Sequence, residues 1–244
     1  MLIGILEAGR PHEALKGHGT YPQMFERLLG AEASDFKFRT FVAVDGDVPS
    51  DPHLCDAWLV TGSKFGAYER LPWMLKTEEL LRKAVAAKVP VIGICFGHQL
   101  LAQALGGKVE KSDKGWGFGL HDYQVNEAGQ RAGGQPEQIT VSALHQDQVV
   151  EVPEGGTVLG GSDFCPNAII AYGDTALTFQ GHPELDVPWM RDAAEYRMKG
   201  LAPEAVLSTA EASFQAKRSD APVVAQWIVQ FLRGEAKHQR RAAE

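Results

Sequence analysis

The stretch Val91-Ile92-Gly93-Ile94-Cys95-Phe96-Gly97-His98-Gln99-Leu100 decides how the rest of the chain is read. Residues 89–94 are the most strand-like apolar run in the sequence. With no polar residue interrupting it, the run predicts a strand buried on both faces. Residues 97–105 predict a helix, and Gly106-Gly107 predicts its end. Strand passes into helix almost without a connection, so Cys95 falls at the carboxyl end of the strand, where open α/β sheets bind ligands. So sharp a turn needs small neighbours, and Gly93 and Gly97 supply them, following the elbow logic of G-x-S-x-G with cysteine in place of serine. N–H groups at the start of the helix favour a thiolate. The Phe96 N–H is suited to hold the oxyanion of a tetrahedral intermediate. Cys55 and Cys165 have no such setting and read as small packed side chains.

Outward from this elbow, strands and helices alternate. Residues 2–6, 36–44 and 57–60 read as β, the last ending at the turn Thr61-Gly62-Ser63. Tyr21, Met24, Phe25, Leu28 and Leu29 recur at helical spacing, with Gly30 as a C-terminal stop. Residues 74–87 predict a second helix with Leu75, Leu80, Leu81 and Val85 near one stripe. Between residues 109 and 179 the pattern changes to short strands at 123–125, 138–142, 168–172 and 176–179, with a hairpin loop over 127–134. Helices return at 189–198, 203–214 and 223–232, and the charged residues 237–244 read as frayed. Wholly apolar strands alternating with helices predict an α/β fold, a mostly parallel central sheet flanked by helices, with a small antiparallel β addition. A single domain over 1–244 is expected, with a C-terminal helical extension from about 201.

A cysteine nucleophile needs an imidazole to take its proton and a third group to fix the imidazole. Of the eight histidines, His182 stands out in Leu177-Thr178-Phe179-Gln180-Gly181-His182-Pro183-Glu184. An apolar strand ends at Gly181, so His182 occupies the same kind of position as Cys95. Pro183 stiffens the turn, and an extended backbone brings Glu184 to the side of His182. A carboxylate there can accept the imidazole N–H and stabilise the cation. His98, inside the elbow helix, reads as a packed or partly exposed residue. Trp73 reads as core. His145 and Asp147 read as pocket wall, since no His-x-x-x-His or Cys-x-x-Cys spacing points to a metal. Gly115-Trp116-Gly117-Phe118-Gly119 lacks the position and third glycine of a dinucleotide fingerprint. No metal and no cofactor are expected.

These residues resemble the class I glutamine amidotransferases. The family pattern G-x-C-x-G-x-Q stands here as Gly93-Ile94-Cys95-Phe96-Gly97-His98-Gln99, and H-P-E as His182-Pro183-Glu184. Leu100 to Gly107 and the turn Thr61-Gly62-Ser63 also fit. Gly115 to Gly119 and His145-Gln146-Asp147-Gln148-Val149 are similar to the glutaminase domain of GMP synthetase. The resemblance spans about residues 1–200. It implies a class I amidotransferase, flavodoxin-like fold and release of ammonia from glutamine through a γ-glutamyl thioester on Cys95. It further implies His182 as proton donor oriented by Glu184, and oxyanion donors at Phe96 and the Gly62–Ser63 turn. That turn reads Thr-Gly-Ser-Lys, where synthetase-linked relatives often carry Ser-Gly-Gly-Pro, so Gly62 and Ser63 are both candidate donors. Gln99, Leu144 and His145 are implied at the amino-acid end of the substrate.

No Ser-Gly-Gly-Val-Asp-Ser segment for ATP pyrophosphatase chemistry occurs, so ammonia is expected to pass to a separate synthase partner or to be released. The rival reading is a γ-glutamyl peptidase or hydrolase, identical in chemistry up to the thioester and differing in the leaving amine. A non-catalytic binding module has no chemical need for Cys95, His182 and Glu184 together. The 244 residues carry a net charge of −7, with 44% hydrophobic and 23% charged residues. That is ordinary globular composition, and it excludes a disordered chain and a basic nucleic-acid footprint. No apolar run reaches the length of a membrane span. The first residues read as a strand rather than a leader, and three cysteines cannot all pair within one chain, so a cytoplasmic protein is expected.

Overall fold

The computed structural model describes residues 1–132 and 134–235. The expectation for 237–244 lies outside the described residues. Five strands form the parallel part of the sheet: β1 (Leu2–Leu6), β2 (Lys37–Phe41), β3 (Ala57–Val60), β4 (Val91–Ile94) and β11 (Ala176–Phe179). Between β4 and β11 in the chain come β5 (Lys108–Lys111), β6 (Gly117–Val125), β7 (Gln138–His145), β8 (Asp147–Glu151), β9 (Gly156–Gly161) and β10 (Ile169–Tyr172). The main sheet has the order β2-β1-β3-β4-β11-β10-β9-β6-β7. It is parallel from β2 to β11 and antiparallel from there to β7. Strands β5 and β8 pair separately as a small antiparallel sheet. The expected α/β architecture, parallel at its core with an antiparallel addition, is therefore the one observed.

Successive side chains on the inner parallel strands β1, β3, β4 and β11 feed opposite cores, which is why these strands are apolar almost throughout, while the edge strand β2 carries Lys37, Arg39 and Thr40 on its exposed positions. Ile3, Ile5, Leu59, Ile92 and Ile94 face one side, covered by α1 (Tyr21–Glu32) and α7 (Ala221–Leu232). Leu6, Trp58, Val60 and Val91 face the other, covered by α2 (Pro72–Ala86) and α3 (Phe96–Ala104). A third core joins α5 (Val187–Ala193) and α6 (Glu204–Ala216) to β6, β7 and Tyr21 and Met24 of α1. None of the described helices is long and apolar enough to cross a membrane.

Several local expectations change. α1 does not stop at Gly30. It runs to Glu32, with the Ala33 N–H bonding Leu29 O, because Thr20 and Gln23 form a capping box at its start and a buried stripe carries the helix past one glycine. Leu75 is exposed, since α2 turns Met74, Leu81 and Thr77 inward instead. The expected loop at 127–134 contains the short helix α4 (Glu127–Arg131), capped by the Asn126 side chain. Beyond α5 the helix continues as a π-helical turn over Ala194–Met198.

Candidate active site

The register of neighbouring parallel strands assembles the site. Val60 of β3 lies beside Gly93 of β4, and Ile94 of β4 beside Phe179 of β11. The segments that leave these three adjacent strands carry Gly62 and Ser63, Cys95, and His182 and Glu184. Cys95 itself is tied across by its N–H to Phe179 O at 2.8 Å. Its backbone sits at φ 51° and ψ −99°, a conformation costing a non-glycine residue of the order of 1–3 kcal/mol. The surrounding glycines make it feasible. A Cβ on Gly97 would stand 2.4 Å from Val60 O, and one on Gly93 2.7 Å from Gly97 O. Without side chains at both, α3 lies against β3 and β4 and its N-terminus points at the sulfur. Phe96 turns its ring back onto Trp73, with centroids 5.5 Å apart, and offers the site its N–H alone. First-turn N–H groups have no partner within a helix.

His182 Nδ1 meets Glu184 Oε1 at 2.7 Å, with both side chains buried. Nε2 is thereby left for the sulfur. Burial disfavours the imidazolium, but the charges of Glu184 and Cys95 outweigh it and raise the His182 pKa to about 10. Glu184 Oε2 is buried without a hydrogen bond among the described residues, so the imidazolium is the compensation this carboxylate has at hand. The backbone of the turn is fixed from β7: the His182 N–H bonds Ser142 O at 2.8 Å, and Ser142 Oγ donates to Leu185 O at 2.7 Å. Gly62 lies flush against the ring. A Cβ there would stand 2.8 Å from His182 Cε1. Neither the Gly62 nor the Ser63 N–H donates a backbone hydrogen bond among the described residues. Thr61 is anchored beside them by Ala8 N–H to its Oγ1, at 3.0 Å.

Gln180 is the residue that sequence reading passed over. It is fully buried; its Nε2 lies 3.5 Å from Cys95 Sγ, and its Oε1 accepts from Gln99 Nε2 at 3.1 Å. Gln99 Nε2 also donates to Asp147 O at 2.8 Å. A chain of amides thus runs from the β7–β8 turn to the sulfur. A cleft of about 280 Å³ opens over Cys95, and Ser63, Gln99, Leu144, His145 and Asp147 line it. Lys64, Phe65, Tyr68, Glu69, Lys111 and Arg197 line it too, and nothing local in the sequence marks them for that place. His145 is pushed down to a pKa of about 3 by burial and by neighbouring histidines, so it is a neutral wall residue. His98 is wholly buried rather than partly exposed. Its Nδ1 lies 2.8 Å from Thr178 Oγ1, and burial lowers its pKa to about 3. Burial raises the pKa of the other two thiols, Cys165 to about 12 and Cys55 in the same direction.

Comparison with known proteins shows the family. Residues 63–189 match the family described as glutamine amidotransferase class-I. Gamma-glutamyl peptidase 3 of Arabidopsis thaliana is 31% identical over 177 residues, covering 69% of this chain and 70% of the relative. A glutamine-hydrolysing GMP synthase component of Halobacterium salinarum is 37% identical over 108 residues, 43% of this chain and 57% of that one. A crystal structure of a glutamine amido transferase from Methylobacillus flagellatus superposes with a TM-score of 0.75 at 21% identity, over 100% of this chain and 98% of that chain. On the extent of the family match and of the peptidase similarity, the chain belongs to the class-I glutamine amidotransferase family.

Proposed function

We propose that this protein hydrolyses the γ-glutamyl amide bond, with glutamine as the first substrate class, through a thioester on Cys95. The observation that carries the proposal is the strained elbow cysteine on one strand facing, across a single strand spacing, a buried His182–Glu184 pair 2.7 Å apart. The Cys95 sulfur attacks the side-chain carbonyl carbon, forming the C–S bond and pushing electrons onto oxygen. N–H groups of Phe96 and the Gly62–Ser63 turn stabilise that oxyanion. The C–N bond then breaks as His182 Nε2 delivers its proton to the departing nitrogen. Water, deprotonated by His182, attacks the thioester; the C–S bond breaks, and glutamate and the thiolate are released. Gln99, Leu144 and His145 shape the end of the cleft that receives the amino-acid head of the substrate. Gln180 steadies the thiolate through its Nε2. A synthase that accepts the ammonia is consistent with the GMP synthase relative.

Hydrolysis of γ-glutamyl peptides by the same residues is the second reading. A further cavity adjoining the cleft, and the relative bearing the name gamma-glutamyl peptidase, favour it. The deciding assay follows glutamate release from glutamine and from γ-glutamyl peptides, for wild type and Cys95→Ala. Loss of turnover on both in the variant is expected, and unaffected turnover would remove Cys95 from the mechanism. A glutamine-like electrophile is expected to add its mass to the peptide holding Cys95 and not to those holding Cys55 or Cys165, whose thiols burial keeps protonated.

A further inference from the structure

We propose that the basic cavity beside the catalytic cleft is an anion subsite for a carboxylate on the departing amine. The substrate class it selects is a γ-glutamyl amino acid or peptide with a free C-terminal carboxylate. This rests on the Cys95 thioester reading and adds a specificity site to it. The cavity measures about 420 Å³ and shares Lys64, Phe65 and Arg197 with the cleft over Cys95. Its further ionisable lining residues are Arg10 and His12, and no Asp or Glu lines it. Arg10 is paired with Asp45. Lys64 and Arg197 form no ion pair among the described residues.

Two cations without a carboxylate partner, at the junction of two cavities, create a local potential that attracts an anion. A guanidinium suits a carboxylate in particular, through paired N–H donors. The acids tell the same story from the other side. Glu69 and Asp147 line the cleft and not the second cavity, which gives the substrate α-ammonium its partners at the catalytic end; Lys111 is the one cation there that the second cavity lacks. Carboxylates therefore line the cleft alone, while Lys64 and Arg197 stand where it meets the cavity. Ammonia, the leaving group from glutamine, needs neither the space nor the cations. An amino acid or short peptide joined through its nitrogen to the γ-carbonyl needs both: its carboxylate lies one or more residues beyond the scissile bond. Phe65 gives it an apolar wall on the way. Arg197 reaches this position from the π-helical turn Ala194–Met198, a form of helix often met at functional sites.

The test uses the purified chain and two substrates that differ in one group, γ-glutamylglycine and γ-glutamylglycinamide, with glutamine alongside. Glutamate release gives kcat/KM for each. Wild type is expected to prefer the free carboxylate by about tenfold or more, mainly through KM, as befits a charge-assisted contact. In Arg197→Gln and in Lys64→Met that ratio should fall towards one. Circular dichroism melts check that both variants fold, and the wild-type comparison needs no variant at all. Equal use of the two dipeptides by wild type, an unchanged ratio in both variants, or turnover of glutamine with neither dipeptide hydrolysed would each overturn the subsite. Hydrolysis that survives Cys95→Ala would instead overturn the thioester reading beneath it.

Discussion

At His182 two opposing effects meet. Burial strips water from the imidazolium, while a carboxylate 2.7 Å away and the neighbouring sulfur hold the proton on, and the second effect wins. The folded-state pKa lies above the unfolded value of about 6.5, so the pair stabilises the fold fully below that pH. The contribution is lost as pH rises through about 10. In the proposed mechanism catalysis shares this dependence, because the leaving nitrogen takes the same proton. The alkaline limb of kcat/KM is expected well above pH 6.5 in wild type. In Glu184→Gln, where the attracting charge is gone, it should move down by about one unit or more. A limb that stays in place would separate Glu184 from the proton donor. Cys95, His182 and Glu184 were legible in the sequence because each sits in a short motif whose spacing fixes its place at a strand end. Gln180 and Ser142 were not. Their importance lies in contacts to Cys95 and His182 across strands, to partners 85 and 40 positions away in the chain, and nothing local marks them.

Among the elements, the strand-to-helix elbow could be read directly, since buried strand, glycine, cysteine, glycine and helix follow one another without a loop. The inner parallel strands were equally plain, β1, β3 and β4 being apolar from end to end, whereas the edge strand β2 leaves Lys37, Arg39 and Thr40 exposed. Strands β5, β8 and β9 carried no comparable signal. β5 buries Val109 alone, β8 buries two of its five residues, and β9 holds three glycines. What makes them strands is the partner each meets. The end of α1 departs from its sequence signal for the opposite reason: packing of the helix as a whole overrides a local stop at Gly30. Gly30 lies within the helix, and a Cβ there would meet nothing within 4 Å. Gly30→Ala should therefore stabilise by about 0.5–1 kcal/mol, a rise of roughly 1–4 °C in Tm for a chain of this size. A calorimetric scan checks it, and a lower Tm would mean that α1 is not continuous there.

At the scale of the whole molecule, among the described residues His98 and His145 are folded away without charge. His98 and His145 both have pKa values pushed down to about 3, mainly by burial. An unfolded chain takes up protons at these sites below about pH 6.5, and the folded one does not. The sign is thus a stability present above pH 6.5 and lost progressively as pH falls towards 3. Melting temperatures measured from pH 7 to pH 4 should fall along this course, and less steeply in His98→Gln, which has no proton to gain. Equal slopes would show that His98 is not a neutral core residue. From the sequence His98 reads as packed or partly exposed, without a choice between the two. The completeness of its burial depends on Thr178 of β11, 80 positions away, placing a hydroxyl 2.8 Å from it.

The meeting of His182 with Ser142 carries one more consequence. β6 touches β9 through two residue pairs near its end, and farther along the β6–β7 ribbon Ser142 bridges to His182, just past the end of β11. The turn that carries the imidazole is tied to that ribbon twice, by the His182 N–H to Ser142 O and by Ser142 Oγ to Leu185 O. Loosening the ribbon at its distant bend, near α4, would reach His182 through those two bonds.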